Sequence, residues 1–406
     1  FGLPTDIECW PSIPTMVAGQ EIKLSMASST RRDVNRRVWT AIRCTILSIR
    51  KSSTFPDLRP PKQLARWIID TDIDNVCLGL KNLSFIFRKW AINDHFSMEN
   101  YRSALPPKRV ILWLKSLCSH SDARAQVARM GRLLPHGSSK VCKRSFEKFK
   151  SIVTKPSTVN IDKADEIYEF GKAFVAKRAY KLRKNVSWAP NENTASLNFS
   201  RAEGGRLNEL ISDAHEVLKD IIEYTPLSEG SQILDEVILE TAIEKSRIEV
   251  PIGNIVIIPE MGWKARVLCK FSSSHFVALD ILRRQIAPII ESDDRFDVEG
   301  DPIEWFNDRI KGYAGDLCGQ VLSADLSNAT DHVPHLYAQA LWSGILEELD
   351  APDWIFNVVA KMFSPLDISY EGDHFVTQRG IPMGTPLSFI TLQLLHMYAA
   401  ERSVGD

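Results

Sequence analysis

Apolar residues recur at helical spacing through the first part of the chain. In RRDVNRRVWTAIRCTILSI, Val38, Ala41, Ile42, Thr45, Ile46 and Ile49 fall three or four positions apart, which predicts an amphipathic helix with one buried face. Residues 1–120 read as mostly helical with loop breaks. SSTFPDLRPPKQ (52–63) is a loop, because Pro56, Pro60 and Pro61 punctuate it. A long polar stretch, NVSWAPNENTASLNFSRAEGGR (185–206), carries Pro190, Gly204 and Gly205 and separates an N-terminal region from the rest. The apolar pattern then changes. NIVIIPE is a β-rich run, Met261-Gly262 is a turn signal, and WKARVLCK alternates, so a strand hairpin is expected over 253–270. QVLSA (320–324) reads as a strand, and a helix begins near Pro334, which suits a first helical turn. A last helix is expected from Pro386 to about Arg402. Thr385 is placed to cap it, and Leu387, Ile390, Leu394 and Met397 form a stripe that belongs to the core.

Composition narrows the class without naming a partner. A chain of 406 residues predicts two or three domains. With 44% apolar and 25% charged residues it is an ordinary globular chain, which excludes disordered, collagen-like and disulfide-framework proteins. The net charge of −1 gives no global signal. Local charge does: residues 120–190 hold 16 Lys/Arg against 6 Asp/Glu, and residues 201–250 hold 12 acidic against 5 basic. The basic segment reads either as a solvated helix face or as a track for nucleic-acid phosphates. Phe146, Phe149, Phe174 and Tyr180, interleaved with its cations, are either stacking rings or the buried face of the same helices. The 7 cysteines are scattered, with no CxxC or Cys/His cluster, so structural zinc is not expected and a reduced compartment is. No secretory leader and no membrane-spanning run is seen. The chain opens with Phe1 rather than Met, which points to a fragment.

Three segments carry candidate chemistry. In the first, Lys264, Arg266 and Lys270 share parity on a strand and so lie on one face, with Trp263, Ala265, Val267 and Cys269 on the other. Three cations on one face suit a triphosphate or an RNA backbone; an amphipathic edge strand would look the same. In the second, SADLSNATDHV places Asp325 at a strand end and Asp331 six positions on, across the polar stretch Ser327-Asn328-Ala329-Thr330. Carboxylate oxygens there suit Mg²⁺, whereas Asp331 alone could simply cap a helix. In the third, QRGIPMGTPLSF frames a short loop with Gly380 and Gly384 ahead of a helix, where backbone N–H groups can meet a phosphate or a sugar.

Taken in order, these segments resemble motifs F, A and B of viral RNA-directed RNA polymerases, nearest to those of narnaviruses, ourmia-like viruses and mitoviruses. SLNFSRAEGGR also resembles a loop upstream of motif F in that group. The resemblance spans about residues 185–406. It implies an α+β, mostly helical right-hand polymerase. Residues 1–184 would be an N-terminal helical extension with the basic segment 120–184, residues 185–318 the fingers with motif F, and residues 319–406 a partial palm. Asp325 would bind the catalytic Mg²⁺ ions, or Mn²⁺ in their place. Asp331 would help recognise the ribose 2′-hydroxyl, with Asn328 as a further substrate-binding residue. Lys264, Arg266 and Lys270 would hold the incoming triphosphate. Gly384 and Thr385 would touch the nascent pair and template, with Gly380 and Ser388 as further substrate-binding residues. Partners would be an RNA template and product and NTPs, in the host cytoplasm rather than the mitochondrion, for a positive-strand RNA virus.

Two departures stand out. Gln393 occupies a position where the group often has Asn, and no Gly-Asp-Asp motif C is present. The closing VGD (404–406) leaves no room after the last helix for the strand of about five residues that must precede such a turn. Motif C is therefore expected beyond Asp406, in a truncated polymerase, or on a second chain of a divided one. Little or no polymerisation is expected from this chain alone, and nucleotide incorporation by the purified chain measures it. Two alternatives remain. A reverse transcriptase usually carries an aromatic gate where this chain has Asn328, Ala329 and Thr330. A non-catalytic RNA-binding remnant or accessory replication subunit would use the basic segment alone.

Overall fold

The computed structural model describes residues 31–52, 60–93, 96, 105–118, 121–178, 182, 194–224, 230–293 and 326–405. The expected strand at 320–324, Asp325 and Tyr180 lie outside the described residues. The described chain is mostly helical with one small mixed sheet, compatible with an α+β class. It divides into two compact units. An N-terminal unit comprises Met26–Thr154 with Ile255–Leu268, and a C-terminal unit comprises Lys155–Asn254 with Cys269–Asp406.

In the N-terminal unit, α1 (Arg31–Ser52), α2 (Lys62–Asp70), α3 (Ile73–Asn93), α4 (Lys108–Leu117) and α5 (Ser121–Arg129) pool their apolar faces, and Val141 of α6 (Ser139–Val153) packs against them. All six residues marked by the periodicity of α1, from Val38 to Ile49, are buried. They meet Leu64, Ile68, Leu80, Leu83, Phe87 and Leu114 in one cluster that also takes in Trp263. Phe146 and Phe149 on α6 point inward, as does Phe174 in the C-terminal unit. The basic helices therefore bury those rings and present cations such as Lys143, Arg144 and Lys148 to solvent; these aromatics are core, not stacking platforms.

The C-terminal unit contains α7 (Ile161–Ala176), α8 (Gly205–Asp213), α9 (His215–Tyr224), α10 (Gly230–Ile248) and α11 (Ser273–Glu291). After the undescribed stretch come α12 (Ala329–His332), α13 (His335–Glu348), α14 (Asp353–Met362) and α15 (Ser388–Gly405). The loop that resembles the region upstream of motif F ends in a reciprocal cap: Ser200 N–H donates to Glu203 Oε2 at 2.8 Å ahead of α8. A small core of Leu210, Ala214, Leu218, Ile238, Ala242, Val277 and Ile281 joins α8 to α11. The Glu209 carboxylate, 1% exposed, accepts from Asn198 Nδ2 at 2.7 Å and from Ser273 N–H at 2.9 Å, which satisfies a group that burial would otherwise make costly. Helices α7 and α13 approach closely through one glycine each: a Cβ on Gly344 would stand 2.1 Å from the Tyr168 carbonyl oxygen, and one on Gly171 2.5 Å from the Leu341 carbonyl oxygen.

The strands are β1 (Ile252–Glu260), β2 (Lys264–Lys270), β3 (Asp367–Tyr370) and β4 (Asp373–Val376), in the order β2–β1–β3–β4. The expected hairpin is present as β1 and β2. Ile252, Gly253 and Asn254 pair in parallel with Asp367, Ile368 and Ser369, and β3 pairs antiparallel with β4. Side-chain parity follows the sequence reading: Lys264 and Arg266 are exposed and Cys269 is buried.

One buried group makes this fold sensitive to acid. His275 Nδ1 lies 2.7 Å from Ser272 Oγ and its Nε2 lies 3.3 Å from the Glu249 carbonyl oxygen. Burial pulls its pKa from the ordinary 6.5 down to about 4, so the folded ring is neutral. Its contribution is therefore complete above pH 6.5 and is lost as pH falls through about 4. The stability gap between wild type and His275→Gln should close over that window by up to about 3 kcal/mol, read by urea unfolding at stepped pH.

Candidate active site

The turn after Asp325 is built around a left-handed residue. Asn328 has φ 57° and ψ 38°, a conformation its short polar side chain tolerates better than most. Its Nδ2 donates to Asp331 Oδ2 at 3.0 Å, and Thr330 Oγ1 lies 3.4 Å from Asp331 Oδ1. Asp331 is 5% exposed. It sits inside the short helix α12 and is not the cap of the helix that follows; Pro334 is the residue that precedes α13. Two residues picked from sequence, Asn328 and Asp331, are thus hydrogen-bonded to each other.

The loop carrying Gly380 docks on this turn through its backbone. Gly380 N–H donates to the Val333 carbonyl oxygen at 2.8 Å, and Ile381 N–H donates to the Thr330 carbonyl oxygen at 2.9 Å. His335 Nε2 lies 3.1 Å from the Gly380 carbonyl oxygen. Burial holds the His335 pKa below its ordinary value, with the Gly380 bond opposing that shift, so the ring is neutral and places its proton on Nε2. His335 was absent from the sequence reading; a lone His after Pro334 gives no sign that a loop 45 residues on will bond to it.

The second half of the same loop docks on the end of β2. Cys269 N–H donates to the Met383 carbonyl oxygen at 2.7 Å. Gly384 has φ +116°, and a Cβ there would stand 2.2 Å from the Cys269 carbonyl oxygen. Only glycine meets both conditions. Lys270, half-buried, follows directly in the chain. Helix α15 starts at Ser388, two residues later than expected, because Pro386 and Leu387 form a turn. Thr385 caps it through its backbone and not its side chain: its carbonyl oxygen accepts from Ser388 N–H at 3.3 Å and from Ser388 Oγ at 3.1 Å. The hydroxyls of Thr385 and Ser388 are both buried, and the stripe Leu387, Ile390, Leu394 and Met397 is core. The C-terminal unit therefore brings Lys270, Asn328, Asp331, Gly380, Gly384, Thr385 and Ser388 onto a few elements joined through main-chain bonds.

Lys264 and Arg266 belong to the N-terminal unit. Both pair with one carboxylate across the hairpin: Lys264 Nζ to Glu260 Oε2 at 2.8 Å and Arg266 Nε to Glu260 Oε1 at 2.9 Å. The Lys264 bond, chiefly, holds the Glu260 pKa below the usual carboxylate range. The two cations are about half exposed, so each pair contributes only about 0–1 kcal/mol and yields readily to a stronger anion. Glu260 was also missed from sequence, although a residue facing the start of β2 across a three-residue turn is legible in principle.

Among the described residues, no group of three or more His, Cys, Asp or Glu side chains could hold a metal ion. Asp331 already accepts from an amide and meets a hydroxyl. The described carboxylates therefore do not by themselves form a Mg²⁺ site.

A turn bearing a buried carboxylate, clasped by a glycine loop that opens a helix, occurs here in a chain similar to viral RNA-directed RNA polymerases. The chain is 26% identical over 305 residues to the RNA-directed RNA polymerase of Saccharomyces 23S RNA narnavirus, covering 68% of this chain and 31% of that protein. It is 24% identical over 288 residues to the RNA-directed RNA polymerase of Saccharomyces 20S RNA narnavirus, covering 68% of this chain and 34% of that protein. The chain thus spans about a third of the length of the curated relatives it matches. No protein-family model matches it. The resemblance drawn from the motifs and these two matches agree on the narnavirus polymerase group.

Replacing Gly384 by Ala combines a left-handed backbone with a backbone overlap. It should destabilise the chain by about 2–4 kcal/mol, measured by denaturant unfolding, with the loss concentrated in hydrogen-exchange protection of the 380–388 loop.

Proposed function

We propose that this chain carries the nucleotide- and RNA-facing part of an RNA-directed RNA polymerase from a narnavirus-like, positive-strand RNA virus, acting in the host cytoplasm. The observation that carries the proposal is the direct clasp between the Asp331 turn and the Gly380 loop, in a chain similar to two narnavirus polymerases. In right-hand terms, the β1–β2 hairpin would be part of the fingers, and the Asp331 turn with α15 part of the palm.

Each residue then has a task. Lys264 and Arg266, released from Glu260, neutralise the triphosphate of the incoming nucleotide, with Lys270 on the same strand. Asn328 and Asp331 present a polar, hydrogen-bonded surface to the ribose 2′-hydroxyl, where an aromatic side chain would exclude it. Gly380 and Gly384 keep the loop low enough for template and nascent pair to approach, and Thr385 and Ser388 hold the start of α15 behind it. Asp325, outside the described residues, would hold Mg²⁺ together with carboxylates from outside these 406 residues, on the same polypeptide or a second one. When bound, the metal lowers the pKa of the attacking 3′-hydroxyl and offsets charge on the leaving pyrophosphate. A new bond would form from the 3′-oxygen of the growing strand to the α-phosphorus of the NTP, the α–β phosphoanhydride bond would break to release pyrophosphate, and the hydroxyl proton would pass to water.

In the complete replication assembly, Asp325→Asn should lower NTP incorporation by more than about 100-fold while leaving RNA binding intact. Asp331→Ala should narrow the preference for NTPs over dNTPs, measured as the ratio of incorporation efficiencies. Unchanged replication by Asp325→Asn would identify an accessory RNA-binding subunit instead, and a wild-type preference for dNTPs would identify a reverse transcriptase.

A further inference from the structure

The N-terminal helices resemble no motif, yet they hold the cationic hairpin by its tip. Between Glu260 and Lys264 the chain turns through Gly262, φ +86°, and Trp263, φ +52°. Glycine takes such a conformation freely; tryptophan does not, and a bulky residue there persists only when its surroundings over-determine it. The surroundings meet the turn at five of its polar atoms. Gly262 N–H donates to the Leu134 carbonyl oxygen at 2.7 Å, and Trp263 N–H donates to the Pro135 carbonyl oxygen at 2.8 Å. Lys81 Nζ donates to the Trp263 carbonyl oxygen at 3.4 Å, and Gly137 N–H donates to the Glu260 carbonyl oxygen at 3.2 Å. The indole is 7% exposed within the core of α1 to α5, and its Nε1–H donates to Asp74 Oδ1 at 3.1 Å. Ser138 Oγ donates to the same oxygen at 2.9 Å.

We propose that the N-terminal helical unit is the socket that sets the cationic hairpin, with Asp74 and Trp263 as positioning residues for Lys264 and Arg266. Trp263 immediately precedes Lys264. A tip free to swing would spread the two cations over many arrangements, and each arrangement would pay ordering entropy on meeting a triphosphate. Seating the indole in the core removes that freedom before the anion arrives. The strained tryptophan is the cost of using one residue both as the turn and as the anchor. Asp74, at the start of α3, orients the indole because it is the acceptor of its N–H, and Ser138, the residue before α6, ties a second helix to that point. The helices thereby act on the nucleotide without touching it.

This inference rests on the triphosphate role proposed above, so the test separates the two. The probe is a fluorescent GTP analogue with Mg²⁺, titrated into the full chain, with melting temperatures recorded in parallel. Lys264→Ala with Arg266→Ala should abolish saturable binding; if it leaves the Kd unchanged, the triphosphate reading itself falls. Trp263→Phe keeps a ring in the core and removes only the indole N–H. It should weaken binding roughly three- to tenfold, the range of one lost hydrogen bond, and should shift the melting temperature little. Asp74→Ala should weaken binding at least as much, whereas Asp74→Asn, which keeps an acceptor for the indole, should bind within about twofold of wild type. Adding Asp74→Ala to Trp263→Phe should cost little more than either alone. The socket is overturned if Trp263→Phe binds the probe as wild type does while the double cation variant does not, or if Asp74→Asn proves as weak as Asp74→Ala.

Discussion

A main-chain amide withdrawn from water must find a partner, and the candidate site depends on how three of them do so. The N–H groups of Gly380, Ile381 and Cys269 are satisfied by carbonyls of Val333, Thr330 and Met383. Those bonds join the Asp331 turn, the glycine loop and the end of β2 without using a functional side chain. The arrangement is rigid where it must be, because backbone bonds fix distance and direction more tightly than paired long side chains do. The side chain of Asn328 donates to that of Asp331, and the Thr330 hydroxyl lies beside the same carboxylate.

His335 extends the same logic by one bond. Its buried ring supplies the donor that the Gly380 carbonyl needs, and burial itself keeps the ring neutral. The clasp therefore adds no charge beside the carboxylate.

The two sets of candidate residues are held by opposite physics. Asp331 is buried and hydrogen-bonded, so its geometry is fixed before any ligand arrives. Lys264 and Arg266 are half exposed and share Glu260 in pairs too weak to resist a polyanion. What is fixed at the hairpin is its backbone: Trp263 at the tip is buried in the N-terminal core while the two cations reach solvent at their ends. The first arrangement suits recognition of a group of fixed shape, as proposed for the ribose, and the second suits a flexible polyanion, as proposed for the triphosphate.

Sequence periodicity determined the elements. The buried stripes of α1 and α15, the hairpin with Lys264 and Arg266 on one face, and the helix after Pro334 all follow from spacing, because each is set by neighbours within a few residues. Motif order pointed to the same polymerase group as the two narnavirus matches. The start of α15 moved by two residues because a local turn competed with the helix. The rings of Phe146, Phe149 and Phe174 had two readings by pattern alone, and burial decided for core. Only the tertiary structure decided which distant groups meet. Trp263 bonds to a carboxylate 189 positions away, His335 to a carbonyl 45 positions away, and one unit borrows a hairpin from the middle of the chain. Such pairs leave no periodic trace, since hydrophobic pattern records that a face is buried and not what it is buried against.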